Sequence, residues 1–165
     1  MDRLQTRPQT DTWVAASWDE YIQTIADPTY EKARGYYYHG HMRIEMLPVG
    51  HDHAADDNTI SLAINLYCIA QAIPLKVLSN CSYRKVEMRE CQPDISCYIG
   101  DRAQLIPWGT SIIDLNRFPA PDLVIEVAAT TLLDDMGIKR SLYEELGVAE
   151  YWIVDVENTQ IIAYT

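Results

Sequence analysis

The chain has 165 residues, 48% of them hydrophobic and 22% charged, an ordinary balance for one globular domain over residues 1–165. Its 24 acidic side chains against 13 lysines and arginines leave a net charge of −11, which taken alone argues against a protein that wraps nucleic acid, since phosphate neutralisation supplies most of such affinity. No segment approaches the ~20 apolar residues of a membrane span and MDRLQTRPQTDTW has no apolar run of a signal peptide, so a cytoplasmic chain with no membrane partner is expected, flexible over residues 1–12.

In chain order, Ser17 with Glu20 three residues later has capping-box spacing and predicts a short helix over residues 18–26. GYYYHGHMRIEML predicts a hairpin, Tyr36 to Tyr38 and Met42 to Leu47 about a turn centred on Gly40, with Glu45 its one acid. Its tyrosines suggest an apolar face that a symmetric homodimer would bury. His51, Asp52 and His53 precede a long helix over residues 55–72. Ile60, Ala63, Ile64, Tyr67 and Cys68 share one stripe of it, and Leu62, Leu66 and Ile69 widen that stripe, so the helix is expected to pack on more than one side. The two histidines, at i and i+2 on a loop, fit capping or solvent polarity better than a metal site.

Pro74 ends the helix, and LKVLSNCSYRKVEMRE predicts strand, bend and strand. Arg84, Lys85 and Arg89, with Lys76 before them, are either alternating charge on an exposed edge or a phosphate-binding patch. Cys68, Cys81, Cys91 and Cys97 have no zinc or redox spacing and read as buried thiols. QPDISCYIG opens a strand on Pro-Asp, with Asp94, Ser96 and Tyr98 on one face. The loop over residues 101–120 is long for a compact domain and suggests a functional or mobile segment.

PDLVIEV is a strand that is apolar on both faces, as in the centre of a covered sheet, with Asp122, Val124 and Glu126 on one side. An ionised Glu126 there demands a cation or several donors. Thr130 and Thr131 cap a predicted helix that stops at Gly147, in which Leu132, Met136, Lys139, Tyr143 and Leu146 form a narrow inward stripe. EYWIVDV follows as a second strand, parallel to the first through a crossover, and QIIAYT as a last strand that the end of the chain cuts short.

If the strands of Asp94 and Glu126 pair antiparallel, the start of one lies beside the end of the other. Asp122 then sits about four residues away, roughly 13 Å at ~3.3 Å per residue. Two carboxylates with the inward Lys139 form an arrangement suited to holding a hard divalent cation and hydrolysing a phosphodiester. The plainer reading of Glu126 and Lys139 is a buried structural ion pair, and that of Asp122 is the cap of a turn.

The two Pro-Asp strands, PDLVIEV, the helix bearing Lys139, and LYEELGVAEYWIVDVENTQIIAY together resemble the Uma family of endonucleases, as do WDEYI, the YYYHGHMRIEM hairpin and His53 ahead of the long helix. The resemblance implies an α/β (α+β) restriction-endonuclease-like fold, a mixed β-sheet flanked by helices, and a Mg²⁺- or Mn²⁺-dependent nuclease centre acting on DNA. It carries over to Asp94, Glu126, Asp122 and Lys139 as catalytic residues, the three acids as metal ligands, and to Glu45 and His53 in support. Two departures stand out. The lysine of the broader PD-(D/E)-X-K pattern usually stands two residues after the acid, where this chain has Ala128, so Lys139 would serve from the helix; and Ala128, Ala129, Thr130 and Thr131 replace a Ser-Pro-Ser run. A catalytically silent dimeric binding module on the same fold is the alternative, favoured by the acidic charge.

Overall fold

The computed structural model describes residues 9–47 and 49–165. The flexible stretch expected over residues 1–12 falls largely outside them. Within them, the Asp11 N–H donates to Ile44 O at 2.8 Å, and its Oδ1 accepts from the Met46 N–H at 3.3 Å.

Two mixed sheets pack together. The first runs β1 (Val14–Ala15), β3 (His41–Glu45), β2 (Arg34–Tyr38), β6 (Arg89–Cys91), β5 (Ser82–Lys85) and β8 (Ile112–Asp114). The second runs β11 (Gln160–Tyr164), β10 (Glu150–Asp155), β9 (Leu123–Ala128), β7 (Ile95–Ile99) and β4 (Leu75–Ser79). All six residues of β9 are buried. One face, Leu123, Ile125 and Val127, packs with Ile95 and Cys97 under Ile60 and Ile64 of α2 (His51–Ala70); the other, Val124 and Ala128, packs with Tyr36, Leu142 and Tyr143. This is why the strand is apolar on both sides.

The local signals behave as their chemistry requires. Ser17 and Glu20 close a full capping box on α1 (Trp18–Ile25). The hairpin turns on His39 and Gly40, both at positive φ, the geometry of a two-residue turn that matches strand twist. β9 and β10 are parallel, with the helical segment between them, and β11 pairs with β10 over its full length.

Four expectations need correction. Residues 101–120 are not structureless: β8 pairs parallel with β5 and buries Ile113 completely. The hairpin tyrosines do not form an outward apolar face, because Tyr36 and Tyr37 lie in the core and only Tyr38 is partly exposed. Arg84 and Arg89 form no free basic patch, because Glu90 holds Arg84 and Glu145 holds Arg89. The helix before Gly147 is not one regular helix; α3 (Leu132–Asp134) opens into a π-helical turn (Asp135–Lys139) before α4 (Arg140–Leu146). Gly147, at φ 80°, ends it as expected. The four cysteines are free, three of them buried.

Candidate active site

β7 and β9 pair antiparallel, Ile95 opposite Ile125 and Cys97 opposite Leu123. Asp94, one step before Ile95, therefore lies level with Glu126, as the antiparallel alignment requires. Both are buried. A buried carboxylate needs donors or cations, and each has them. Asp94 Oδ2 accepts the Val127 N–H at 2.8 Å and faces His53 Nε2 at 3.2 Å, while Oδ1 pairs with Arg34 Nη1. His53 reaches it because α2 begins at His51, earlier than expected, which puts this histidine on the first turn rather than on a loop.

Glu126 Oε1 accepts from the Tyr143 hydroxyl and from Tyr36 Oη at 3.2 Å, with Lys139 Nζ 3.6 Å away. The single proton of the Tyr36 hydroxyl is shared between Glu126 and Gln92 O, the latter at 2.8 Å. Lys139 sits at the hub. Its Nζ is 3.0 Å from both Glu45 Oε1 and Asp135 Oδ1 and lies over the Tyr36 ring, 4.5 Å from its centroid. Glu45 in turn takes Arg34 Nη2 at 3.1 Å and Arg43 Nε at 2.8 Å. Arg43 Nη1 reaches outward to Asp134 at 2.8 Å.

Four buried carboxylates, Glu45, Asp94, Glu126 and Asp135, thus share three buried cations, Arg34, Arg43 and Lys139. With every group ionised, one negative charge is in excess. Electrostatics places the corresponding proton on Glu126, whose pKa rises to about 8 because burial outweighs the attraction of Lys139 and the charges of Asp94, Asp135 and Glu45 oppose its ionisation. Asp135 is also pushed up, chiefly by burial. Burial presses Asp94 upward too, yet its bond from His53 and the charge of Arg34 prevail and hold it below the usual carboxylate range. Glu45 is likewise lowered against burial, by Lys139 and Arg34. Burial alone would discharge Lys139, but its three carboxylates raise its pKa instead.

The structure brings together Asp94, Glu126, Lys139, Glu45 and His53. It does not bring Asp122 to them. Asp122 Oδ2 accepts the Ile99 N–H at 2.8 Å and Oδ1 pairs with Arg102, at the opposite end of β9 from Glu126. There it closes the β7–β9 pair and ties down the chain after β7. Three members escaped the sequence reading: Arg34, Arg43 and Asp135. Asp135 carried a signal, four residues before Lys139, but a stripe counted on apolar residues passes over it and selects Met136, which is 40% exposed. Arg34 and Arg43 lie on the hairpin and carried none.

Asp94 and Glu126 offer the carboxylate oxygens that Mg²⁺ or Mn²⁺ prefers, so the donor chemistry fits a hard cation. Their present contacts face the chain's own cations, and among the described residues no group of three or more His, Cys, Asp or Glu side chains converges on one point.

A family model described as "Putative restriction endonuclease", Uma2, matches residues 18–165. The chain belongs to the Uma2 family. Among solved structures, this Uma2 chain is similar to a crystal structure described as "a putative nuclease belonging to DUF820 from Anabaena variabilis". The two are 20% identical, with a TM-score of 0.62, over 90% of this chain and 78% of the other, which establishes the restriction-endonuclease-like fold. A comparison with curated proteins finds no match.

Proposed function

We propose that this Uma2 chain is a metal-dependent endonuclease that hydrolyses the phosphodiester bonds of DNA in the cytoplasm, as a homodimer. The observation that carries the reading is the placement of Asp94 level with Glu126 in the covered sheet, with the Lys139 ammonium beside Glu126. A structural ion pair needs one acid and one base; this cluster spends four carboxylates, one of them held near neutrality. Acids perturbed by burial and neighbouring charge cluster at sites of chemistry.

Asp94 and Glu126 would hold Mg²⁺ or Mn²⁺, which when bound supplies Lewis-acid polarisation of a phosphoryl oxygen. The chain's own groups do the rest. Burial keeps Glu126 ready to exchange a proton near neutral pH. Lys139, always charged here, contributes a fixed positive charge next to Glu126, suited to stabilising negative charge that builds on a phosphate. His53 and the Val127 N–H orient Asp94, and Arg34 and Arg43 anchor Glu45, which in turn positions Lys139. No helix among the described residues is long and apolar enough to cross a membrane.

One observation favours a second reading, the catalytically silent binding module: each carboxylate of the cluster already has an internal cation or hydroxyl partner. Calorimetric titration with Mn²⁺ separates the two. The nuclease reading expects saturable binding that releases a proton near pH 7 and disappears in Asp94→Asn; no binding at millimolar Mn²⁺ supports the silent module.

A further inference from the structure

The sheet-facing side of α2 is settled: Ile60 and Ile64 pack on the core and Cys68 is buried. Among the described residues, nothing covers the opposite side. Leu62, Leu66, Tyr67 and Ile69 are 55, 56, 62 and 74% exposed, beside the exposed Thr59, Ala63 and Ala70. The helix therefore carries the second apolar side its sequence shows, and no element among the described residues packs on it.

The spacing of that side specifies what fits it. Within α2, Thr59, Leu62, Leu66 and Ile69 follow alternating steps of three and four, the seam by which one helix packs along another at a small angle. Ala63 and Ala70 flank the seam and allow close approach. Charge then narrows the partner. The helix holds no Lys or Arg, which disfavours an anionic membrane or nucleic acid, and its only charged residues, Asp52, Asp56 and Asp57, lie toward the N-terminus. A neutral seam of this kind is complementary to itself. We propose that the outward face of α2 is the interface of a symmetric homodimer, with α2 of a second copy lying antiparallel across it and Leu66 at the two-fold axis.

Antiparallel packing about Leu66 sets Leu62 opposite Ala70, one residue from Ile69, and leaves Asp56 about 15 Å from the axis, beyond the end of the partner helix, at ~1.5 Å per residue. A parallel pair would set three aspartates against three. The four large side chains alone expose roughly 400 Å², the size of patch that marks a partner surface. That is about half of the ~800 Å² a stable interface takes from each copy, so the flanking residues of α2 and surface beside the helix complete it. Because α2 also delivers His53 to Asp94, a partner seated on its outer face would hold the helix that orients this acid. The inference rests on the dimeric reading and not on the chemistry of the site.

Sedimentation velocity across the micromolar range, with the full chain, tests it. The wild type is expected to dimerise, and Leu66→Glu, at an exposed position that keeps the monomer's circular dichroism and melting, weakens the dimer by at least ~30-fold, the loss of a central anchoring side chain. Leu66→Cys should cross-link two copies on oxidation, while Asn58→Cys should not, its two copies lying about 24 Å apart in an antiparallel pair. A wild type that stays monomeric, a dimer indifferent to Leu66→Glu, or cross-linking at Asn58 equal to that at Leu66 would each overturn the proposal. Mn²⁺ binding in a monomeric wild type would leave the nuclease reading standing while this one fails.

Discussion

Replacing Glu126 with glutamine should stabilise the protein, and increasingly so as pH rises. The carboxyl is fully buried, and its pKa moves from an ordinary 4.5 up to about 8 on folding. The folded state therefore prefers the protonated form, so the associated stability is fully present below about pH 4.5 and is lost as pH rises through 8. The shift corresponds to ~4–5 kcal/mol across that window. The amide of Glu126→Gln would keep the shape and much of the bonding to Tyr143 while removing the titration. Asp94, Asp135 and Glu45 lose a repelling neighbour in Glu126→Gln, which acts in the same direction, since that repulsion is present in the wild type only once Glu126 ionises. Thermal melting of wild type and Glu126→Gln from pH 4 to pH 9 should show curves that nearly coincide at the acid end and diverge to about 10–15 °C at the alkaline end, at ~2–4 °C per kcal/mol for a chain of this size. A gap independent of pH would refute the reasoning, because it would mean that Lys139 keeps Glu126 ionised throughout.

Lys139→Met should cost ~3–5 kcal/mol at neutral pH, since it strips the counter-ion from Asp135 and weakens the holds on Glu45 and Glu126; chemical denaturation measures it, and the deficit should shrink as the acids take up protons at lower pH. Asp122→Asn should lower stability by about 1–3 kcal/mol through the weakened Ile99 and Arg102 contacts, yet leave Mn²⁺ affinity unchanged by calorimetry, since Asp122 lies away from the cluster. Gly35→Ala should lower the melting temperature by several degrees, because the added methyl would sit 2.3 Å from the Tyr21 hydroxyl in a packed region.

What the sequence reveals of this fold is what short-range chemistry writes into it. PDLVIEV shows a doubly covered strand because each of its faces is apolar, and Ser17 with Glu20 shows a helix start because both bonds of the box are local. The alignment of Asp94 with Glu126 follows from two neighbouring antiparallel strands. The cations of the cluster were not visible in this way. Arg34 meets Asp94 across 60 residues and across two sheets, and nothing in RGYYY marks its arginine as inward-facing. The tyrosine run had the composition of an interface but the position of a core, since β2 is an interior strand of its sheet. Conversely the broad apolar surface of α2 predicts packing on several sides, and the described residues of one copy cover only one of them. The π-helical turn at residues 135–139 left no signal that helix propensity could report.

Hydrolysis of a phosphodiester at Asp94 and Glu126 is measured directly by cleavage of plasmid and single-stranded DNA by wild type, Asp94→Asn and Glu126→Gln with Mg²⁺, Mn²⁺ or chelator. Wild type should cut only with metal present, and cutting should fall by at least ~100-fold in either variant, the scale set by losing one preorganised electrostatic group. A folded wild type that cuts nothing under any of these conditions, or variants that cut as fast as wild type, would contradict it.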